Sequence, residues 1–418
     1  MPEQDASGRE RFDVAIAGCG LAGRTLALAL AKLAPQGFRV ALIDAEPAQI
    51  QTNGAEDARA LALSAATKNL LTALDLWAPL APSVQAIEAI EITDSALNAA
   101  RRPHFLGFAE ELKQNGAAAF MAEHGDLARV LAASVAAEPA IAMHASDRVT
   151  GFTAGPFAVE VLLGSGKAIA ASLLVAADGK RSQLRARAGI KCVGWSYPQI
   201  GIVTTVAHTW PHRGKAVQHF LASGPFAILP LTGDRSSIVW TEDAAKGAAI
   251  MAGDEASFRG ELTKRFGHRL GEIALAGPRQ SFKLDMQIAR SFVADRFALI
   301  GDAAHVVHPL AGQGLNIGMR DVAALTETVI EAARLGLDIG GPVPLERYER
   351  WRRFDSALSA AAMDGLNRLF SNDNAPLRAL RDLGLGLVDR APAVKRFLVR
   401  EAAGRTGETP SLLRGERP

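Results

Sequence analysis

The stretch FDVAIAGCGLAGRTLALALAKLAPQGFRVALIDA, residues 12–45, contains two short apolar runs separated by a glycine-rich turn and an apolar segment of helical spacing. The runs at 12–18 and 39–45 are typical of buried strands, and LAGRTLALALAKLA is typical of a helix that packs on them. Because parallel neighbouring strands need a crossover connection, usually a helix, the stretch predicts a β-α-β unit within a mostly parallel sheet.

The turn of this unit, GCGLAG, has the spacing of a dinucleotide-binding loop. Gly18 permits the tight turn, Gly20 lets a pyrophosphate approach the backbone, and Gly23 lets the helix pack closely on the strand. An acid at the end of the second strand is placed to bind a ribose hydroxyl, which argues against NADP but leaves NAD and FAD open. The residues expected to bind the dinucleotide are Gly18, Gly20, Leu21, Ala22, Gly23 and Asp44.

A second glycine-rich corner, GDAAHVVHPLAGQGLNIGMRD at 301–321, follows the apolar run FALI. Asp302 can accept hydrogen bonds from a polyol chain, and Pro309 stiffens the loop. Gly312 and Gly314 let backbone N–H groups approach a flat ring at the start of a helix. Combined with the first corner, this pattern predicts that the dinucleotide is FAD.

Two further motifs are less specific. AADGKRSQLR at 176–185 places Asp178 and Gly179 at a strand end, where the acid by itself is more typical of a helix cap. His305 and His308 have HxxH spacing, but no cysteine accompanies them and the intervening valines make a poor ligand set. We therefore expect no metal and place both histidines beside the flavin.

Composition excludes several classes of function. The chain has 418 residues, a net charge of +2, 22% charged residues and two cysteines, Cys19 and Cys192. This charge balance gives no reason to expect a nucleic-acid partner, and the few cysteines fit a reducing cytoplasm. The polar first eleven residues do not resemble a secretory signal, and charged residues interrupt every apolar segment before the roughly 20 residues needed to span a bilayer.

A change in residue composition and hydrophobic pattern indicates a second lobe. Between about 192 and 284, β-branched and aromatic runs alternate with Gly, Pro and Asp, which predicts an antiparallel sheet. The fold class is therefore α/β (α+β), with a Rossmann-like FAD-binding domain, an antiparallel β-sheet substrate domain and a C-terminal helical extension. We assign 1–80, 106–191 and 285–343 to the FAD-binding domain, 81–105 and 192–284 to the substrate domain, and 344–418 to the helical region.

The substrate lobe carries apolar residues that suit a dry pocket, although each one also fits an ordinary sheet core. Alanine-rich helical patterns are expected around 60–78 and 121–137. The residues expected to form the pocket are Phe220, Phe226, Leu229 and Pro230.

Taken together and in order, the motifs resemble those of single-component FAD-dependent aromatic hydroxylases, the class that contains para-hydroxybenzoate hydroxylase. Further strings resemble the ubiquinone biosynthesis hydroxylases, and the similarity covers nearly the whole chain. These strings are DARALALS at 57–64, GWSYPQ at 194–199, GPFAILPL at 224–231, HPLAGQGLNIGMRD at 308–321 and LERYERWRRFD at 345–355.

The resemblance implies roles for individual residues. Arg59 would lie on the diphosphate side of FAD, and Asp302 near the ribityl chain. Asp178 and Gly179 match a motif associated with both FAD and the nicotinamide donor, whereas His124 departs from the Asn, Gln or Arg common in relatives. The residues implied to hold the flavin ring are Gly312, Gln313, Gly314, Leu315 and Asn316, and those expected nearest the reaction are His308, Pro309, Gly312 and Gln313.

The resemblance also implies a reaction: NADH or NADPH reduces FAD, O₂ gives a flavin C4a-hydroperoxide, and the ring of a polyprenylated phenol is hydroxylated. Other proteins of ubiquinone synthesis are implied partners. A hydroxylase of a small soluble aromatic compound and a flavoprotein scaffold subunit remain alternatives. The basic, leucine-containing segment after Pro376 fits either a core helix or a peripheral contact with the inner face of the cytoplasmic membrane.

Overall fold

A computed structural model describes residues 8–46, 57–94, 104–107, 117, 119–308, 312–370, 403–404 and 409–418. The strands are β1 Arg11–Ala17, β2 Val40–Asp44, β3 Ala60–Ser64, β4 Gln85–Ala86, β5 Ala89–Asp94, β6 His104–Gly107, β7 Ala119–Glu123, β8 Ile141–Ala145, β9 Val149–Ala154, β10 Val159–Leu163, β11 Ala168–Ala176, β12 Cys192–His208, β13 Lys215–Leu221, β14 Gly224–Leu231, β15 Arg235–Asp243, β16 Ile273–Leu275, β17 Gln280–Ala289, β18 Val293–Ala294, β19 Phe297–Leu299 and β20 His305–Val306. The helices are α1 Leu21–Leu33, α2 Ala65–Ala73, α3 Trp77–Leu80, α4 His124–Ala136, α5 Gln183–Arg187, α6 Ala244–Ala252, α7 Glu255–Phe266, α8 Gln313–Arg334, α9 Pro342–Phe370 and α10 Ser411–Arg414.

The expected β-α-β unit is the centre of an eight-stranded, mostly parallel sheet. Its strand order is β18-β19-β11-β1-β2-β8, and β10 and β9 add antiparallel strands beside β11. Strand β1 runs parallel to β11 on one side and to β2 on the other. The carboxyl ends of β1, β2, β11 and β19 therefore share one edge. Open α/β sheets bind ligands at this edge, at the point where the strand order reverses.

The second lobe is a nine-stranded sheet with the order β20-β17-β12-β15-β14-β13-β5-β6 and β16 beside β12. Its pairs are antiparallel except for β13 and β5, which are parallel. The strands at 89–94 and 104–107 join those between 192 and 289, so sequence-distant pieces build one sheet. The predicted fold class is confirmed; the residue boundaries of the domains remain our interpretation.

A small third sheet corrects the prediction for 60–78 and 121–137. Each segment begins with a strand, β3 or β7, before its helix starts, and the two strands pair with each other. The apolar residues of ALALS at 60–64 are compatible with a strand or a helix, because the run is too short to show a period. Pairing with the partner strand favours the strand.

The end of the chain returns to the first lobe. Leu412 and Leu413 of α10 are buried in its core, against α2 and α8. The Asn69 side chain donates to the Leu413 carbonyl at 3.0 Å, and the Ser411 N–H donates to Glu327 at 2.6 Å. The basic segment 377–400, for which a membrane contact was considered, lies outside the described residues.

Candidate functional site

The three glycines of GCGLAG have different surroundings. A Cβ at Gly18, whose φ is 112°, would lie 2.3 Å from the Ala177 carbonyl oxygen, and one at Gly23 would lie 2.0 Å from the Gly18 oxygen. A Cβ at Gly20 would meet no described atom within 4 Å. The first two glycines are therefore required by packing within the protein, and Gly20 leaves open space above the helix start.

The two glycine-rich corners meet in the folded chain. A Cβ at Gly301 would lie 3.3 Å from the Ala22 side chain in the first turn of α1, and a Cβ at Gly318 in α8 would lie 3.3 Å from Gly301 Cα. Gly18 in turn touches the AADG motif through Ala177. Thus the loops after β1, β11 and β19 and the first half of α8 pack into a single site.

A cleft of about 620 Å³ opens at this edge of the parallel sheet. Both lobes contribute to it, because Gln280 and Phe282 of β17 lie in its wall. The predicted residues that line it are Gly18, Gly20, Leu21, Asp44, Arg59, Asp178 and Gly179, and the further lining residues include Cys19, Arg24, Glu46, Asp57, His124 and Ala128.

Two helices that begin at the site lack the side-chain caps that start four other helices. Helices α2, α5, α6 and α7 are capped by the side chains of Ser64, Ser182, Asp243 and Asp254. Among the described residues, α1 and α8 have glycine N-caps, no side-chain cap and no acid in the first turn. Their free N–H groups and positive dipole ends suit a phosphate and an electron-rich ring.

Asp44 occupies the position expected for ribose binding. Its carboxylate accepts the Cys19 N–H at 2.5 Å and the Glu46 N–H at 2.8 Å, one on each oxygen. These bonds fix the orientation of the group and leave each oxygen with further capacity to accept hydroxyl protons.

Two other acids face the site without full compensation. Asp178 accepts the Leu184 N–H at 3.4 Å through one oxygen, while its buried Oδ1 has no partner among the described residues. Asp302 remains accessible to solvent, yet the protein around it raises the pKa of its carboxyl, against the attraction of His305, Arg59 and Lys180. A carboxylate that is accessible to solvent can accept hydrogen bonds from a polyol chain.

Arg59 lies in the cleft, held by a residue that the sequence analysis missed. The Asp57 carboxylate accepts hydrogen bonds from Nε of Arg59 at 2.9 Å and from Nη2 of Arg59 at 2.6 Å. His124, which lies in the cleft wall, places Nδ1 3.1 Å from the same carboxylate. His124, at a position where relatives commonly have Asn, Gln or Arg, thus lies beside Arg59, which is implied to contact the diphosphate.

Asn316 uses its side chain to position the start of α8, and its expected place at the flavin ring stays a prediction. Its side-chain oxygen accepts from the Ser64 N–H at 2.9 Å and from the Thr67 hydroxyl at 2.8 Å. Its side-chain nitrogen donates to the carbonyls of Ala62, at 2.7 Å, and Gly312, at 3.3 Å. The amide is therefore occupied in fastening the start of α8 to β3 and α2.

His305 contacts a buried carboxylate, and its expected place beside the flavin stays a prediction. Its Nε2 lies 2.6 Å from the fully buried carboxylate of Asp321, which also accepts the Gly301 N–H at 2.9 Å and Arg352 Nε at 2.8 Å. Burial opposes ionisation, but His305 and Arg352 hold the pKa of Asp321 below its usual value. This network fastens the corner at 301 to α8 and α9.

His308 is buried, with Tyr197 beside it and the Asp364 carboxylate close enough to oppose the effect of burial on its pKa. Its ring packs edge-on against Tyr197, with centroids 5.1 Å apart, and both ring nitrogens lack a partner among the described residues. Tyr197 donates its hydroxyl to Asp364 at 2.6 Å. Burial lowers the pKa of His308 to about 4, so the ring is neutral at pH 7. Pro309, the adjacent predicted residue, lies outside the described residues.

The two lobes are bridged beside the AADG motif. Lys180 forms an ion pair with Asp285 of β17, and Asp285 also accepts the Ser196 hydroxyl at 2.5 Å. Sequence spacing gives no indication of this contact, because its members come from three separate segments.

The four predicted pocket residues do not share a face of the substrate sheet. Phe226 is fully buried with Trp240 and Phe258 beneath α6 and α7, so it is a core residue, which corrects its expected place in a pocket. Strand alternation puts Pro230 on the same side. Phe220 and Leu229 lie on the other face, where Phe220 contacts Met363 of α9.

The comparisons with known proteins agree with this geometry. The FAD binding domain family matches residues 11–353. The chain is 43% identical to ubiquinone hydroxylase UbiL of Rhodospirillum rubrum, covering 96% of this chain and 92% of that protein. It is 33% identical to 3-demethoxyubiquinol 3-hydroxylase of Escherichia coli, covering 94% and 98%.

Solved structures show the same fold. p-Nitrophenol 4-monooxygenase PnpA of Pseudomonas putida superposes with a TM-score of 0.75 at 19% identity, covering 95% of this chain and 100% of that one. An HpxO variant of Klebsiella pneumoniae complexed with FAD gives 0.72 at 16% identity, covering 94% and 99%. The uncapped starts of α1 and α8, the open space at Gly20 and the unpaired Oδ1 of Asp178 fit FAD. The chain therefore belongs to the FAD binding domain family, among the FAD-dependent aromatic hydroxylases related to the ubiquinone hydroxylases.

Proposed function

We propose that this protein hydroxylates the aromatic ring of a polyprenylated phenol in ubiquinone biosynthesis, using NADH or NADPH and O₂. The observation that supports it most is near full-length similarity to two ubiquinone-pathway hydroxylases in a chain whose two glycine-rich corners pack against each other. Other proteins of the pathway are proposed partners.

The chain's own groups have distinct tasks toward FAD. The free N–H groups of α1 bind the diphosphate, Asp44 binds the adenosine ribose, and Asp302 binds the ribityl chain. Arg59, oriented by Asp57, neutralises the phosphate charge. The start of α8, including Gly312, Gln313, Gly314 and Leu315, supports the ring. Bound FAD supplies the transfer of electrons from the nicotinamide to O₂ that activates oxygen for hydroxylation.

The reacting side is kept dry by apolar groups of both lobes. Phe220 packs against Met363, and Val307 packs with Met286 and Ile317 close to His308 in sequence. A neutral His308 adds no charge to this region. Such surroundings exclude water from reactive oxygen species and accept a phenol ring with an apolar tail.

The substrate implies a location. Polyprenyl chains reside in the bilayer, so we propose that the enzyme works as a peripheral protein at the inner face of the cytoplasmic membrane. Among the described helices, none is long and apolar enough to cross it.

Purified protein and a gene deletion test the proposal together. We expect a yellow protein that can be reconstituted with FAD and whose NADH or NADPH oxidation is stimulated by a prenylated phenol and not by hydroxybenzoates. Mass spectrometry of the deletion strain should show less ubiquinone and an accumulated intermediate that lacks one oxygen. Unchanged ubiquinone, or stimulation by hydroxybenzoates alone, would reject the proposed substrate.

A further inference from the structure

Helix α9 carries an apolar stripe on its outer side, away from the core. Three large apolar side chains on it are exposed: Val343 by 70%, Phe354 by 75% and Leu358 by 59%. Ala361 continues the spacing of three or four residues beyond Leu358, whereas the exposed charged residues Glu346, Arg347 and Arg350 occupy this side between Val343 and Phe354. Single exposed apolar residues are ordinary, but a run along one side of one helix indicates a binding surface.

Cations accompany the stripe. Arg350 and Arg353 are exposed. Arg347 pairs with Glu331, so its charge is already balanced. Apolar side chains flanked by arginines are the composition of a helix that lies in the plane of a membrane interface.

The opposite side of the same helix packs on the substrate lobe. Ala360 is buried with Met286 and Ile317, and Met363 contacts Phe220. The stripe therefore lies on the outer surface of the element that covers the proposed substrate region.

We propose that this outer stripe, Val343, Arg350, Arg353, Phe354, Leu358 and Ala361, docks on the surface of an anionic phospholipid bilayer. The arginines complement lipid phosphates, and Phe354 and Leu358 enter the boundary between headgroups and acyl chains. This deepens the proposed function and rests on it, because a substrate with a polyprenyl tail must be taken from lipid.

Vesicle flotation of the full-length FAD-loaded protein tests the surface, with phosphatidylcholine vesicles that contain or lack phosphatidylglycerol. We expect the double variant Phe354→Ser/Leu358→Ser to lower partitioning at least about tenfold, since two apolar side chains no longer enter the membrane. Arg350→Gln/Arg353→Gln should weaken binding only to the anionic vesicles, and added salt should remove that difference.

Phe157→Ser is the matched control, because Phe157 is 82% exposed on the turn between β9 and β10. It should leave partitioning within about twofold of the unmodified protein. Equal binding by the double variant, or an equal loss in the control, overturns the proposal. So does a self-association that the double variant abolishes, because the stripe would then bind a second copy.

The same variants separate this inference from the proposed function. FAD content and turnover of a short-chain prenylated phenol in detergent micelles should be unchanged, because no stripe residue lines the cleft. If no prenylated phenol is turned over while stripe-dependent vesicle binding holds, the proposed function fails and the lipid surface stands.

Discussion

Among single residues, Gly20 and Gly23 allow the effect of a glycine on FAD binding to be measured apart from its effect on stability. A Cβ at Gly23 would overlap the Gly18 carbonyl, whereas one at Gly20 would meet only open space in the described chain. We expect Gly23→Ala to lower the free energy of unfolding of the apoprotein by about 1–3 kcal/mol. Gly20→Ala should leave that free energy nearly unchanged and raise the Kd for FAD at least about tenfold.

Urea unfolding and FAD fluorescence titration measure the two effects. Gly20 has a φ of −63°, so alanine introduces no backbone strain there. A large loss of apoprotein stability in Gly20→Ala, or unchanged FAD affinity, would contradict the assignment of its open space to the diphosphate.

His308 should make stability depend on pH. Its pKa is about 4 in the folded protein and about 6.5 in an unfolded chain, so the unfolded chain takes up the proton first as the pH falls. The free energy of unfolding should therefore decrease between pH 6.5 and pH 4, by up to about 3 kcal/mol from this group. The difference in unfolding free energy between the unmodified protein and His308→Gln, followed from pH 7 to pH 4, should shrink by that amount; a constant difference would contradict the buried neutral ring.

At the scale of elements, the fully buried Asp321 joins α8, α9 and the corner at Gly301. Asp321→Asn leaves His305 and Arg352 without their shared carboxylate. We expect it to lower the free energy of unfolding by about 3–5 kcal/mol. Asp126→Asn, which removes an exposed pair with Arg129, should cost less than about 1 kcal/mol. Denaturant titration measures the free energy of unfolding of both variants. Similar losses of free energy would contradict the larger contribution expected from the buried network.

Sequence patterns predicted these elements unevenly. The strands at 11–17 and 40–44 and helix α1 were readable because long apolar runs of one period are bounded by glycine. At 60–64 and 119–123 the runs are short and alanine-rich, and the strands exist because each is the other's partner. The sequence of neither segment alone indicates that it pairs with the other.

At the scale of the whole molecule, the C-terminal residues complete the core of the first lobe. Leu412 is fully buried, and its helix α10 packs against α2 and α8. We expect Leu412→Ala to lower the free energy of unfolding by about 2–5 kcal/mol. Leu335→Ala, at a site 73% exposed, should change it by less than about 1 kcal/mol. Thermal unfolding distinguishes them, and an equal effect would contradict the docking of α10.

This docking also affects how membrane binding can be tested. Truncation at 376 removes Leu412 and Leu413 from the core, so a loss of vesicle binding could follow from unfolding. Point substitutions on the outer side of α9 leave the core intact and are the cleaner test.

Glycine spacing was enough to predict the β-α-β unit, the cofactor class and the residues around the first glycine corner, because tight turns and close backbone approaches demand glycine at fixed positions. The folded chain was needed to see that the side chains of Asn316 and His305 join separate elements and that Phe226 is a core residue. It was also needed to see that Asp57 and Asp285 pair with Arg59 and Lys180. The physical reason is that these roles depend on which way a side chain turns and on partners from distant segments. Neither is specified by local spacing.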